Sequence, residues 1–325
     1  MFLKHFGLRE QPFGVTPDPR FLYLSSAHRE ALASLYYGIE ANRGFLGLIA
    51  QPGMGKTTLL FHLLEKFRTS AHTAFIFQTQ CNSREFMRFL LAEVGYEEDT
   101  QDLVRLHDEF NRRLLAEARA GRRMIVVVDE AQNLAPEVLE TVRLLSDFET
   151  PRAKLMHIIL SGQPQLADKL ASPALAQLRQ RVSILHGLEA LTFSEVKNYI
   201  EHRLKIAGYN GGAPFTPDAY EIVAKFTQGI PRNVNNFCFN AFALACALQR
   251  TTVDAEIANE VISDMDISRF TSAAQPQSPC FEPLTEQIPE VAAAHPGVGG
   301  EILTPAEAAA YMQEVVLKLR SGSTR

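Results

Sequence analysis

Short apolar runs recur through the first part of the chain, at residues 45–50, 74–78, 124–129 and 157–161, each ending in polar or turn-forming residues. Runs of this length, rich in Val, Ile, Leu and Phe, read as buried β-strands. Residues 181–185 form a weaker fifth. Between them, Leu59, Leu60, Leu63, Leu64 and Phe67, and later Val138, Val142 and Leu145, return at helical spacing. Strands alternating with helices predict an α/β fold, a parallel sheet with helices on both faces.

Past Leu188 the strand pattern stops. Thr192-Phe-Ser-Glu195 has the form of a capping box, with Thr192 as N-cap. It opens an amphipathic helix to about Ala207, which Gly208 ends. Thr216-Pro217 starts another helix, and two more are predicted over residues 232–250 and 254–264. The expected organisation is a sheet domain over residues 1–188, including an N-terminal segment 1–40, then a helical domain over 189–270. From Thr271 the composition shifts to Ala, Gln, Pro and Gly, which predicts a linker over 271–303. Residues 304–320 then read as an amphipathic helix whose stripe of Tyr311, Val315 and Leu319 could dock on its own body or on a partner. No internal repeat is visible.

Composition changes this picture little. Hydrophobic residues make up 46% and charged residues 21%, enough for a substantial core in a soluble protein. A net charge of -5 provides no global attraction for nucleic acid or anionic membrane. Cys81, Cys238, Cys246 and Cys280 lie in no Cys-x-x-Cys pair and no zinc-like cluster, as suits a reducing compartment. The N-terminus lacks a signal-like apolar stretch, and residues 237–248 fall short of the ~20 needed to cross a bilayer. A cytoplasmic protein with no membrane span is expected.

The candidate chemistry begins where the first predicted strand meets the first predicted helix, at Gln51, Pro52, Gly53, Met54, Gly55, Lys56, Thr57 and Thr58. A loop in that position aims backbone N–H groups and a helix N-terminus at an anion. Gly53 and Gly55 let the backbone wrap phosphates without Cβ clashes. Lys56 is placed to reach the β- and γ-phosphates of ATP, and the Thr57 hydroxyl to bind Mg²⁺. The usual first glycine of this spacing is Ala50, tolerable if that residue keeps an ordinary φ. A glycine-rich turn with an incidental lysine is the bland alternative, and a second anchor weakens it. The run ending Ile125-Val-Val-Val-Asp129-Glu130 delivers two carboxylates at the C-terminal edge of a strand. Asp129 is expected to hold Mg²⁺ and its hydration shell, and Glu130 to orient and deprotonate the attacking water. A helix cap is the alternative for this pair.

Here a family resemblance becomes specific. Asp129-Glu-Ala-Gln-Asn-Leu-Ala-Pro-Glu-Val-Leu-Glu140, Leu144-Leu-Ser-Asp-Phe-Glu149 and Gly162-Gln-Pro-Gln-Leu166 closely resemble the ExeA/GspA-like AAA+ ATPases of bacterial secretion, pilus and exopolysaccharide systems. Stretches 6–20 and 23–31 match as well, so the resemblance covers residues 1–270. It implies a P-loop NTPase core with a C-terminal helical lid. It also implies that Gln163 is sensor 1, reading the γ-phosphate or lytic water. In residues 178–182 it implies an arginine finger entering a neighbouring subunit, with Arg181 the first choice and Arg179 the second. Gly229-Ile-Pro-Arg232 resembles sensor 2, and a cation at a helix start is unfavourable unless a phosphate faces it. Tyr23 and His28 would line the adenine pocket or simply pack. Some family members continue into a membrane span and a periplasmic peptidoglycan-binding domain. Here a linker and terminal helix stand instead, so cell-wall binding is not expected of this sequence.

The leading expectation is a Mg-ATP-hydrolysing homo-oligomer, its arginine finger acting in trans. It would energise or regulate assembly of an envelope system (type II secretion, pilus or exopolysaccharide export), with partner proteins able to hold it at the inner membrane. The alternative is a DNA-associated ATPase switch of the transposition-regulator kind typified by TniB and MuB. Arg112, Arg113, Arg119, Arg122 and Arg123 favour it, while the net charge and the lack of an aromatic-interleaved groove oppose it. A solvated helix face also explains that cluster. A scaffold that binds nucleotide without hydrolysing it is opposed by Glu130.

Overall fold

A computed structural model describes residues 2–96, 102–146, 148–150 and 153–265. The linker and helix expected over 271–303 and 304–320 lie outside the described residues. Helix α1 (Phe2–His5) and a 3₁₀ turn (Pro19–Phe21) precede α2 (Ser26–Glu40). Strand β1 (Phe45–Ile49) leads through the candidate phosphate loop into α3 (Lys56–Phe67), then β2 (Ala71–Ile76). Helices α4 (Ser83–Glu93) and α5 (Leu103–Arg119) come before β3 (Arg123–Val128), a 3₁₀ turn (Ala131–Asn133) and α6 (Pro136–Leu145). A short antiparallel ribbon of β4 (Glu149–Thr150) and β5 (Ala153–Lys154) leads to β6 (Met156–Gly162), α7 (Pro164–Ala171), α8 (Ala176–Arg181) and β7 (Val182–Gly187). Four helices follow: α9 (Phe193–Ile206), α10 (Pro217–Thr227), α11 (Pro231–Ala247) and α12 (Ala255–Met265).

The main sheet has five parallel strands in the order β2-β3-β6-β1-β7. Parallel neighbours need crossover connections, and helices supply them. The three central strands β3, β6 and β1 therefore release their C-terminal loops side by side, where ligands of such sheets bind. Side chains alternate across the sheet. Ala74, Ile76, Met124, Val126, Val128, Met156, Ile158 and Leu160 join residues of α4–α8 in one apolar core. Their neighbours Phe75, Ile125, Val127 and Ile159 are equally buried, so both faces are covered. Burial on both sides explains why the strands read as continuous apolar runs.

Local chemistry sets the helix starts. The Thr192–Glu195 capping box is formed, and Thr216 caps α10 ahead of Pro217. A second capping box, Asn82 with Glu85, opens α4. Strand β2 begins at Ala71, earlier than its apolar run, because Ala71, His72 and Thr73 pair with Arg123, Met124 and Ile125. The N-terminal segment packs on the C-terminal helices: Phe2, Phe6 and Phe13 ring Phe242 of α11, and Arg9 N donates to Ala207 O. One compact unit runs to Ser263; of the second, which starts at Asp264, only Asp264 and Met265 are described. Among the described residues no helix is long and apolar enough to cross a membrane.

Candidate active site

Residues 51–58 turn sharply from β1 into α3. Gly53 and Gly55 adopt φ of +82° and +88°, backbone that L side chains rarely take. At Gly53 a Cβ would also lie 2.7 Å from Arg232 Cβ. Ala50 is absent from the positive-φ residues, so its methyl meets no left-handed backbone strain. No side chain caps the N-terminus of α3, which leaves its first N–H groups directed at the loop's concavity. Lys56 is buried and donates from Nζ to Ala50 O (3.0 Å) and Gln51 O (3.4 Å). Burial pushes its ammonium below the ordinary lysine value. The Glu130 and Asp129 carboxylates oppose that shift and Arg232 adds to it. Lysine, both carboxylates and the arginine thus act on one another at one edge of the sheet.

Asp129 is buried at the end of β3 and holds its neighbours through both oxygens. Thr57 Oγ1 donates to Oδ2 (2.6 Å), and Ser161 Oγ (2.7 Å) and Glu130 N (3.0 Å) donate to Oδ1. Glu130 has φ 50° and ψ 38°, the left-handed region. For a residue with a Cβ this costs about 1–2 kcal/mol, a strain that persists only where surroundings over-determine it. Its Oε2 accepts from Gln132 Nε2 (2.6 Å) and Gln163 Nε2 (3.0 Å). Ser161 and Gln132 escaped the sequence reading. The signal for Ser161 was a hydroxyl closing the apolar run of the strand beside Asp129.

Pro52, Gly53, Gly55, Lys56, Thr57, Thr58, Glu130, Gln163 and Arg232 line one cavity of about 300 Å³, whereas Gln51, Met54 and Asp129 stand outside its lining. Arg232 lies one residue into α11 and is exposed, and its backbone N donates to Gly53 O (3.1 Å). Residues 14–18, Tyr199, Arg203, Pro231 and Asn235 complete the wall. Arg203 is buried, donating to Pro12 O and to Tyr199 Oη, with its guanidinium 4.8 Å from the Phe21 ring centre. A smaller adjoining cavity is lined by Tyr23, His28 and Met54, and shares Gly55, Thr58, Tyr199, Arg203 and Pro231 with the first. His28 also tethers the loop. Its Nε2 must carry the proton donated to Met54 O (3.0 Å), so Nδ1 accepts from Ser25 Oγ (2.7 Å). Burial lowers its pKa, in keeping with that neutral form.

The two candidate finger arginines lie apart from this cavity. Arg179 is exposed and donates to Ala171 O, while Arg181 is half-buried and donates to Ser146 Oγ (3.0 Å). In the basic cluster, Arg112 and Arg113 pair with Glu109, Arg122 with Glu117 and Arg123 with Glu40. That pairing spends much of the charge a nucleic acid would require.

Residues 39–170 match the AAA domain family. General secretion pathway protein A of Aeromonas hydrophila is 39% identical over 249 residues, 76% of this chain and 45% of that protein. The chain thus spans about half the length of the curated relative it matches. Among solved structures, the Aeropyrum pernix ORC2 protein in ADPNP–ADP complexes superposes with a TM-score of 0.62 at 16% identity, covering 82% of this chain and 75% of that one. Cdc6p from Pyrobaculum aerophilum gives 0.60 at 19% identity, covering 78% and 70%, and Drosophila ORC bound to DNA gives 0.60 at 16%, covering 82% and 68%. At these identities the structural likeness establishes the fold alone, and with the AAA domain match that fold is a P-loop AAA+ core. Domain match and curated relative together bear out the resemblance: the chain carries an AAA domain and is similar to the ExeA/GspA-like AAA+ ATPases.

Proposed function

We propose that this chain binds ATP with Mg²⁺ between the phosphate loop and Arg232 and hydrolyses it to ADP and phosphate. The observation that carries the reading is the meeting of Lys56 with Asp129 and Glu130 at one sheet edge, where burial and both carboxylates act on the same ammonium. A polyanion fits a buried lysine, an exposed arginine and an uncapped helix N-terminus on one concavity. The Thr57 hydroxyl and Asp129 carboxylate form an oxygen-only donor pair suited to a hard cation. Among the described residues no cluster of three or more His, Cys, Asp or Glu gathers, so phosphates and waters would complete the Mg²⁺ shell. When bound, Mg²⁺ would offset charge on the phosphoryl group.

Residues 51–58 cradle the phosphates, Lys56 and Arg232 neutralise them, and Glu130 orients and deprotonates the attacking water. Gln163, which shares the cavity wall with Glu130, senses the γ-phosphate. Helices α9–α12 (residues 193–265), which fall within the expected lid of residues 189–270, bring Arg232 to the nucleotide. Arg181 or Arg179 completes a neighbouring subunit's site in a homo-oligomer. The relation to general secretion pathway protein A supports a role in energising or regulating assembly of a bacterial envelope system through protein partners (type II secretion, pilus or exopolysaccharide export). The paired state of the basic cluster gives a DNA-associated switch less support. Nucleotide-binding and turnover assays test the enzymatic core. Lys56→Ala is expected to lose ATP binding, and Glu130→Gln to bind ATP with turnover lowered ~10²–10⁴-fold. Equal turnover by the Glu130→Gln protein would remove Glu130 from its role.

A further inference from the structure

The amide of Gln132 is used at both ends. Its Nε2 donates to Glu130 Oε2 (2.6 Å), and its Oε1 accepts from the backbone N of Gln163 (3.0 Å). This pairing fixes the orientation of the amide, since a flip would set an oxygen against the carboxylate and an NH₂ against an N–H. Gln163 closes the loop by donating from Nε2 to the same Glu130 Oε2 (3.0 Å). Three residues from two adjacent strand ends thus form a ring of hydrogen bonds around one carboxylate oxygen.

Other features keep that ring in place. A Cβ at position 162 would lie 2.7 Å from Gln132 Oε1, so the glycine at the end of β6 leaves the amide its room. Lys169 of α7 donates from Nζ to Gln132 O and Leu134 O, pinning the 3₁₀ turn that carries Gln132. Glu130 itself is held in left-handed backbone. The cavity wall includes Glu130 and Gln163 but not Gln132, which can reach the chemistry only through its neighbours.

We propose that Gln132 is a positioning residue for hydrolysis: it holds Oε2 of Glu130, leaves Oε1 to the attacking water, and ties Glu130 to Gln163 so that sensor and base are placed together. Among the described residues both side-chain bonds to Glu130 fall on Oε2. The proposal rests on the ATPase reading above, in which Glu130 is the base. Losing a group that orients a base costs turnover while leaving nucleotide binding alone, because the phosphate loop, Lys56 and Arg232 are not in the ring.

The test measures kcat, KM and ATP affinity for Gln132→Ala, Gln132→Glu and their combinations with Glu130→Gln. Gln132→Ala is expected to lower kcat by ~10–100-fold, with KM and ATP affinity within about twofold of the parent. Gln132→Glu keeps the size and an acceptor for Gln163 N but sets a carboxylate against Glu130, and its kcat is expected to fall at least as far. Added to Glu130→Gln, either change is expected to lower the residual turnover no further, since the group it positions is already disabled. An unchanged or raised kcat in both Gln132 variants overturns the proposal, as does a full additional loss in the double variants. A parent that does not turn over ATP defeats the ATPase reading instead, and an active parent whose Glu130→Gln form turns over equally well removes Glu130 as the base, which separates these failures from that of Gln132.

Discussion

His157 offers a quantitative check on the packing of the sheet. It lies on β6 with no exposed surface, and among the described residues neither ring nitrogen has a hydrogen-bond partner. Burial pushes its pKa down to about 4, with the charge of Arg123 adding to the shift. An unfolded chain takes up the proton from about pH 6.5 downward, whereas the folded chain refuses it until about pH 4. A lowered histidine pKa therefore leaves stability intact above pH 6.5 and removes it as the pH falls from there towards 4, with no further loss below. The full shift corresponds to about 3 kcal/mol, of which about 2 kcal/mol is lost between about pH 7.5 and pH 5. Replacing His157 by Leu keeps roughly the volume and removes the proton site. Urea unfolding at the two pH values is expected to show a drop in stability about 2 kcal/mol smaller in His157→Leu than in the parent. At about pH 7.5 the variant is expected to be as stable as the parent or more so, because two unpaired polar nitrogens leave the core. His28, His62, His107 and His202 also have lowered pKa values from burial, but they are common to both proteins and cancel in the comparison. An identical pH dependence in parent and variant would refute the reasoning.

Further expectations concern the approach of α11 to the phosphate loop and the subunit contact. Gly229 has φ +68°, and a Cβ there would lie 2.1 Å from Leu191 O. Gly229→Ala is expected to cost ~2–4 kcal/mol in thermal or urea unfolding and to weaken ATP binding by displacing Arg232, so an unchanged melt would show that the backbone yields. For the finger, a site-intact subunit carrying Arg181→Ala or Arg179→Ala is expected to recover turnover when mixed with Lys56→Ala subunits, which keep both arginines. Recovery with one arginine variant identifies the finger, and a defect that mixing never relieves for either places both arginines outside that role.

The sheet edge that carries the candidate site was legible because its determinants are local. The strand-ending runs 46–49 and 124–128 are apolar, as strands buried on both faces must be, and the candidate site residues follow them in the loops at the same sheet edge. Helix starts with side-chain caps, Thr192 and Thr216, were legible for the same reason. Helices α4 and α5 were passed over although Asn82 and Glu85 spell a capping box, because their polar faces dilute the apolar run that draws attention. The start of β2 was hidden by His72 and Thr73, which belong to the strand by pairing with β3 rather than by hydrophobicity. What no periodicity could disclose is the N-terminal segment's attachment. His5 bonds Arg250 O across 245 positions, and such contacts leave no repeating trace in either stretch.

That attachment bears on how the loop tolerates Ala50. Two carbonyls of the phosphate loop are gripped from outside the strand–loop–helix unit: Met54 O by His28 of α2, and Gly53 O by the backbone N of Arg232 in α11. A third, Ala50 O, is held by the loop's own Lys56. With its carbonyls pinned from the N-terminal and C-terminal sides, the loop does not depend on glycine at position 50 to find its curvature, and the residue there keeps an ordinary φ. The same pinning places Arg232 against Gly53, so the unfavourable cation at the start of α11 is set where the phosphates of the proposed nucleotide would meet it. Preorganisation of this kind lowers the ordering cost of binding. It also makes the loop's geometry a joint property of α2, β1 and α11, since loosening either outside grip would move the groups proposed to hold the phosphates.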